Sequence, residues 1–354
     1  MACDDDTMDD RPILFVLPNG GRGGMQSQVA LVAAEFARRG RAVTVATGGG
    51  GSAIDGVTTR ELPTLSARSA PKFLRELRRI SREHVVHGHG LRLAPFVGAS
   101  GGSVNVVTCH GLDPAHVRGA VGLAKFGRAS LVSCGEGPQR LLAAHGVASR
   151  VINNALGDLA AARTLEECRQ EFQLVPEVPV IVYPARFSAQ KNHLGLAEAM
   201  AMVRDELGDR SPELVCVGDG PLFEQAQQRA RTDGRPLLRC FAHRDDAASW
   251  VGASSFFVLP SRWEGQPLVV LEAFAYGKSV VTSTAVGVED LVFDGRNGKT
   301  VTSMRALSDV IVEWCRQPER VPFEYALRNE LLQRHSLDTV IGEHEALYRE
   351  LDPH

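Results

Sequence analysis

Ile13-Leu14-Phe15-Val16-Leu17 is an unbroken apolar run, the pattern of a strand buried on both faces of a parallel sheet. The glycine loop Asn19-Gly20-Gly21-Arg22-Gly23-Gly24 follows it. Met25–Arg39 comes next, with Val29, Leu31, Val32, Ala33 and Phe36 at helical spacing and Gly40 closing the helix. Ala42–Thr47 is the next strand. Strand, loop, helix, strand is the building unit of a doubly wound α/β sheet.

The alternation continues outward from this unit. Pro71–His84 predicts a helix with Phe73, Leu74, Leu77 and Ile80 on one face. Val85-Val86, Val104–Cys109 and Ala129–Cys134 read as short strands, and Pro138–Ala144 as a helix. A second set begins near Pro179. It comprises strand Val180–Tyr183, helix Leu194–Leu207, strand Leu214–Val217 and helix Leu222–Thr232, then strands at Leu237–Phe241, Phe256–Leu259 and Val280–Ser283. Two such sets predict two Rossmann-like domains with a boundary near Asn153–Glu166. A chain of 354 residues is long enough for two cores.

Composition excludes several classes. A net charge of -3 does not suit a nucleic-acid binder that works by bulk charge. The cysteine count of 7 is odd and no pair has C-x-x-C spacing, so free thiols in a reducing cytoplasm are expected rather than disulfides or zinc. No run approaches the roughly 18 apolar residues of a membrane span. Residues 1–10 are acidic, unlike a signal peptide, and are expected to form a disordered lead. Of the 39 basic residues only Lys72, Lys125, Lys191, Lys278 and Lys299 are lysine, which makes each one stand out.

Three stretches carry chemistry. In the first loop a dinucleotide fingerprint would need glycine at 26, which is Gln26, and an acid where the second strand ends in Thr47. NAD is therefore disfavoured, but Gly23 and Gly24 still open a helix whose N–H groups suit an anion. The second stretch, Arg186-Phe187-Ser188-Ala189-Gln190-Lys191, puts two cations just past a strand's carboxyl end, where open α/β sheets bind ligands and where a diphosphate is the fitting anion. The third is Pro260-Ser261-Arg262-Trp263-Glu264-Gly265-Gln266-Pro267-Leu268-Val269-Val270-Leu271-Glu272-Ala273. It sets Glu264 before a helix and Glu272 within it, with free amides at Gln266–Leu268. Carboxylates beside free amides suit a polyhydroxyl ligand. The plain alternative is that the two glutamates are caps or salt-bridge partners.

Together these residues resemble the family 4 glycosyltransferases of the GT-B fold. The likeness is collinear: Gly23-Gly24-Met25-Gln26-Ser27, Val86-His87-Gly88-His89, Thr108-Cys109-His110-Gly111, Asn154, Arg186…Lys191, Val217-Gly218-Asp219-Gly220-Pro221, the E-x7-E motif Glu264…Glu272, and Asp294-Gly295-Arg296-Asn297-Gly298. It departs from the family at Ala155, Ala185 and Ser279, where glycine, glycine and proline are usual.

The resemblance implies two Rossmann-like domains facing an interdomain cleft. An acceptor domain would span 11–157, joined by a returning helix at 336–354, and a donor domain would span 158–335. It implies a bacterial, cytoplasmic enzyme that transfers a sugar, with retention of configuration, from a nucleotide-sugar to a hydroxyl acceptor: small molecule, glycan or lipid-linked. A UDP-sugar is the commonest donor, and neither metal nor cofactor is expected. Arg186 and Lys191 would stabilise the leaving diphosphate, and Glu264 and His110 would lie by the donor sugar. Glu272 would bind ribose, Gly23, Gly24, Gly265, Gln266, Pro267 and Leu268 would line the donor site, and Gln26 would face the acceptor. The different-class alternative is a non-catalytic sugar-nucleotide-binding module. The basic stripe Arg68–Arg82 is expected to be a solvated helix face, with weak membrane-surface contact as its alternative.

Overall fold

The computed structural model describes residues 10–21, 23–113, 115–283 and 287–352. The expected lead therefore lies, but for Asp10, outside the described residues. The chain divides into two compact units, one formed by Met1–Ala155 with His335–His354 and the other by Leu156–Arg334.

In chain order the first unit contains β1 Ile13–Leu17, α1 Gly24–Arg38, β2 Val43–Gly48, β3 Thr58–Leu62, α2 Ala70–Ile80 and β4 Val85–His89. It continues with α3 Ala94–Gly98, β5 Val104–Cys109, α4 Val117–Phe126, β6 Ser130–Ser133, α5 Glu136–Ala143 and β7 Arg150–Val151. The second unit holds α6 Leu165–Phe172, β8 Val180–Pro184, α7 His193–Leu207, β9 Glu213–Val217, α8 Phe223–Arg229, β10 Arg239–Phe241 and β11 Phe257–Leu259. Then come α9 Leu268–Ala275, β12 Val280–Ser283, β13 Gly298–Val301, α10 Met304–Arg316 and α11 Tyr325–Arg334. The chain ends with α12 Leu337–Glu350, back in the first unit.

The first unit is one parallel sheet of order β3-β2-β1-β4-β5-β6-β7. Strand β1 sits centrally with all five residues buried, as a two-faced apolar run requires. One face is covered by α1 and α12, with Phe36 stacked on Tyr348 at 6.2 Å between centroids. The other is covered by α2, α3, α4 and α5, through Phe73, Leu77, Val97, Val121 and Leu142. The strand order reverses between β1 and β4, so the loops after β1, β4 and β5 open on the switch point where ligands bind in such sheets.

The second unit contains two three-stranded parallel sheets, β10-β9-β8 and β11-β12-β13. They meet where Ser255 N donates to Val180 O at 2.8 Å and Val182 N donates to Ser254 Oγ at 2.8 Å. β8 and β11 thereby run side by side from their starts, and past their carboxyl ends Arg262 N donates to Gln190 O. Several elements differ from expectation. α2 stops at Ile80 rather than His84, since Ser81 and the positive-φ Glu83 turn the chain into β4. α8 is shorter than expected, at Phe223–Arg229.

Candidate active site

The second unit brings two of the sequence motifs into contact. β8 delivers its chain end into the loop from Ala185 to Lys191, and β11 delivers Pro260–Pro267. Lys191 Nζ donates to Glu264 Oε1 at 2.6 Å, with the carboxylate buried and the ammonium four-fifths buried. Gln190 Nε2 donates to Trp263 O at 2.9 Å, and Arg262 N donates to Gln190 O at 2.8 Å, so the loops are laced by backbone as well as charge. Asn192, with φ 54°, reverses the chain into α7 and donates from Nδ2 to Pro260 O at 3.1 Å.

Arg186 stands apart from this pair. It is exposed and, among the described residues, has no acidic partner. The two cations therefore differ in readiness. Arg186 is free for an anion, whereas Lys191 is paired with Glu264.

Two glycines set the loop's position. A Cβ on Gly218 would lie 2.2 Å from Ala185 O, and one on Gly220, with φ 141°, would lie 2.4 Å from Phe187 O. The Gly218-Asp219-Gly220 turn is thus pressed against the backbone that carries Arg186, and Phe187 N donates to Asp219 O at 2.7 Å.

α9 begins after Pro267 without a side-chain cap, so its first N–H groups are unclaimed by the helix. Gly265, Gln266 and Pro267 are buried and Leu268 is half-buried. The Gln266 side chain donates to Asp290 Oδ2 at 3.2 Å. Glu272 lies a turn into α9. Burial pushes its carboxyl up to about 7, against the opposing pull of Lys191, and among the described residues its side chain has no hydrogen-bond or ion-pair partner.

In the first unit, Gly23 and Gly24 are exposed at an uncapped α1 N-terminus, and a Cβ on Gly24 would meet nothing within 4 Å. Gln26 Nε2 donates to Asn19 Oδ1 at 2.8 Å, tying the helix start to the beginning of the loop that leaves β1. His110, just past β5, has Nε2 2.7 Å from His89 Nδ1 at the end of β4. Burial holds His110 and His344 down to about 4, so both rings are neutral at pH 7. His87 is enclosed, with Nδ1 2.6 Å from Tyr348 Oη and Nε2 2.7 Å from Thr108 Oγ1. His87 and His89 are thus members of a buried ring stack, 4.6 Å between centroids.

Residues 178–317 match the family model described as "Glycosyl transferases group 1". Over those residues the chain is similar to the group 1 glycosyl transferases. It is 36% identical over 121 residues to the Escherichia coli UDP-Gal:alpha-D-GlcNAc-diphosphoundecaprenol alpha-1,3-galactosyltransferase, covering 33% of this chain and 31% of that one. It is 31% identical over 128 residues to the putative teichuronic acid biosynthesis glycosyltransferase TuaC of Bacillus subtilis, covering 36% and 30%. The alignments thus span under a third of these curated relatives. In fold, it superposes on the crystal structure of Anabaena HepE in complex with UDP-glucose with a TM-score of 0.82 at 18% identity, over 96% of this chain and 100% of that one. The glycosyltransferase fold is GT-B, α/β with parallel sheets.

The departures from the group 1 pattern have local partners in this chain. Ser279 Oγ donates to Pro322 O, a bond that proline would lack. Asn154 O receives the His335 Nδ1 hydrogen bond at 2.8 Å, beside Ala155. Among residues that sequence reasoning left without a role, Gln28 is notable. It is 4% exposed on α1, and among the described residues neither its Oε1 nor its Nε2 has a partner. Nothing in the helical periodicity of α1 marks it, because a buried glutamine reads as a polar interruption.

Proposed function

We propose that the chain is a retaining glycosyltransferase that moves a sugar, without a metal, from a nucleotide-sugar to a hydroxyl acceptor, with a UDP-sugar as donor. The observation that carries this reading is the Lys191–Glu264 contact, 2.6 Å, which joins the cationic loop after β8 to the carboxylate loop after β11. Two carboxylates, two cations and the uncapped start of α9 share one strand-end region of the second unit. This suits a ligand that is anionic at one end and hydroxylated at the other. The Escherichia coli relative, named for a UDP-Gal donor, and the UDP-glucose-bound fold neighbour support the same class of donor.

In this reading Arg186 and Lys191 take the charge that grows on the diphosphate as the sugar–phosphate bond breaks. Lys191 gives up part of its bond to Glu264 as the donor arrives, and Glu264 turns toward the sugar. Glu272 accepts from ribose hydroxyls, and the Gly265–Leu268 turn frames the nucleotide. Gly23 and Gly24 approach the donor phosphate, His110 the donor sugar and Gln26 the acceptor, with the acceptor domain formed by the first unit. The leaving phosphate oxygen takes the proton from the incoming hydroxyl on the same face.

The exposed cations Arg68, Lys72, Arg75, Arg78, Arg79 and Arg82 on and beside α2 give weak contact with an anionic lipid surface. Exposed Phe126 and Leu123 on α4, which covers the same sheet face, support it. No helix among the described residues is long and apolar enough to cross a membrane.

A panel of nucleotide-sugars assayed by thermal shift and by nucleotide release tests the reading. A bound donor at about 100 times its Kd adds about 2.7 kcal/mol of stability. Release of free nucleotide dependent on an acceptor is the expected result. Thermal protection with no turnover against any acceptor would instead indicate a binding module.

A further inference from the structure

Beside His110 the first unit has a small recess, lined by Gln28, His89, His110 and His344 among others. Gln28 and His89 are 4% and 5% exposed, and among the described residues the Gln28 amide atoms and His89 Nε2 are buried without partners. Buried polar atoms are almost always satisfied. His344 Nδ1 lies 2.8 Å from Val340 O, so this nitrogen carries the proton of the neutral ring and Nε2 is an acceptor. Three side chains of fixed position thus offer complementary donors and acceptors to one small guest. Such a set of two to four polar partners is what a buried water requires.

The recess is wired to His110. His89 Nδ1 and His110 Nε2 are 2.7 Å apart, so one proton lies between them. If His89 holds it, His89 Nε2 is bare and must accept. If His110 holds it, His89 Nε2 carries the second proton and must donate. The group that faces His89 Nε2 therefore decides which nitrogen of His110 is protonated. In either case Nε2 of His110 is taken, and Nδ1 is the nitrogen free to meet a ligand.

We propose that His89 is a positioning residue for His110, and that Gln28, through one water held in the recess with His344, fixes the tautomer that His110 presents. This rests on the reading of His110 as a donor-sugar contact. Gln28 acts two residues removed in the relay, with no contact to the reacting atoms.

The test is long-range proton–nitrogen correlation NMR on the full chain with labelled histidines. Signals are assigned by single-histidine variants, and kinetics are run in parallel. In the wild type, His110 is expected to show one tautomer, with well-separated ring nitrogen shifts. His89→Phe should collapse these toward averaged values and lower kcat about tenfold, with the donor KM changed by less than about threefold. His89→Asn, which keeps a hydrogen-bonding group beside His110, should restore part of both. Gln28→Leu does not touch His110, yet it should shift the tautomer balance in the same way, and it decides the matter if His89→Phe does not fold. Unchanged His110 nitrogen shifts in a folded Gln28→Leu protein would overturn the proposal. So would a His89→Phe variant that loses thermal stability while its shifts and kcat stay at wild-type values. If the wild type transfers no sugar, the catalytic reading fails, and the NMR arm still decides the relay.

Discussion

Glu264 spends one oxygen on Lys191, and this makes Arg186 and Lys191 unequal as probes. Arg186→Ala removes an exposed cation with no acidic partner among the described residues, so the melting temperature should stay within about 1 °C of wild type. Its kcat should fall about 10²–10³-fold, with donor affinity nearly unchanged, because the charge it meets grows in the transition state. Wild-type turnover would remove Arg186 from the diphosphate. Lys191→Ala should show the same kinetic loss and also cost about 2 kcal/mol of stability, since it leaves a buried carboxylate without its charged donor. A denaturant titration checks the second half. Glu272 adds a pH signature. Its folded value of about 7 lies above that of an unfolded glutamate, so its proton favours the fold. Its contribution is full below about pH 4.5 and is lost as pH rises through about 7, amounting to about 3 kcal/mol at most. Between pH 5 and 8 the wild type should lose stability relative to Glu272→Gln, and nucleotide affinity should rise over the same interval as the carboxylate ionises. Calorimetry with free nucleotide should find Glu272→Ala impaired and Glu264→Gln near normal.

At the scale of elements, the glycine turns separate folding from binding. Gly218→Ala would drive a Cβ to within 2.2 Å of Ala185 O. It should destabilise the second unit by about 2 kcal/mol or more while displacing Arg186. Gly24→Ala meets nothing within 4 Å, so any loss of donor binding there, with the melting curve unchanged, reports a ligand that comes closer than a methyl group allows. The strands that were legible in the sequence are those buried on both faces, such as β1, β5 and β8. β3 was not. Four of its five residues, Thr58 to Glu61, are exposed, because an edge strand has no apolar run to show. α4 was hidden by Gly119 and Gly122, which dilute its periodicity, and α10 and α11 lie beyond the last collinear motif, Asp294–Gly298. The motif residues were all legible as types and spacings. Their pairing was not: Lys191 with Glu264, or His89 with His110, is a property of adjacent strand ends that no local pattern records.

For the molecule as a whole, the proposed same-face reaction joins two expectations that a single experiment tests. Turnover should survive excess chelator, because Arg186 and Lys191 supply the positive charge at the diphosphate. The product should keep the donor's anomeric configuration. Proton NMR of the anomeric signal with and without chelator checks both, and an inverted product or loss of activity on chelation would contradict the mechanism while leaving the GT-B fold untouched.

The return of α12 to the first unit has a consequence in time rather than space. Tyr348 lies at 0% exposure in the core of the sheet whose first strand is Ile13–Leu17. During synthesis that core stays open until the entire second unit has been made, a wait of roughly 10–40 s at ordinary ribosome speeds. The second unit, although later in the gene, holds all its own elements first. A nascent chain halted after Arg334 should therefore carry a protease-resistant second half and a protease-sensitive first half, and release of the last helix should close the first within one further step.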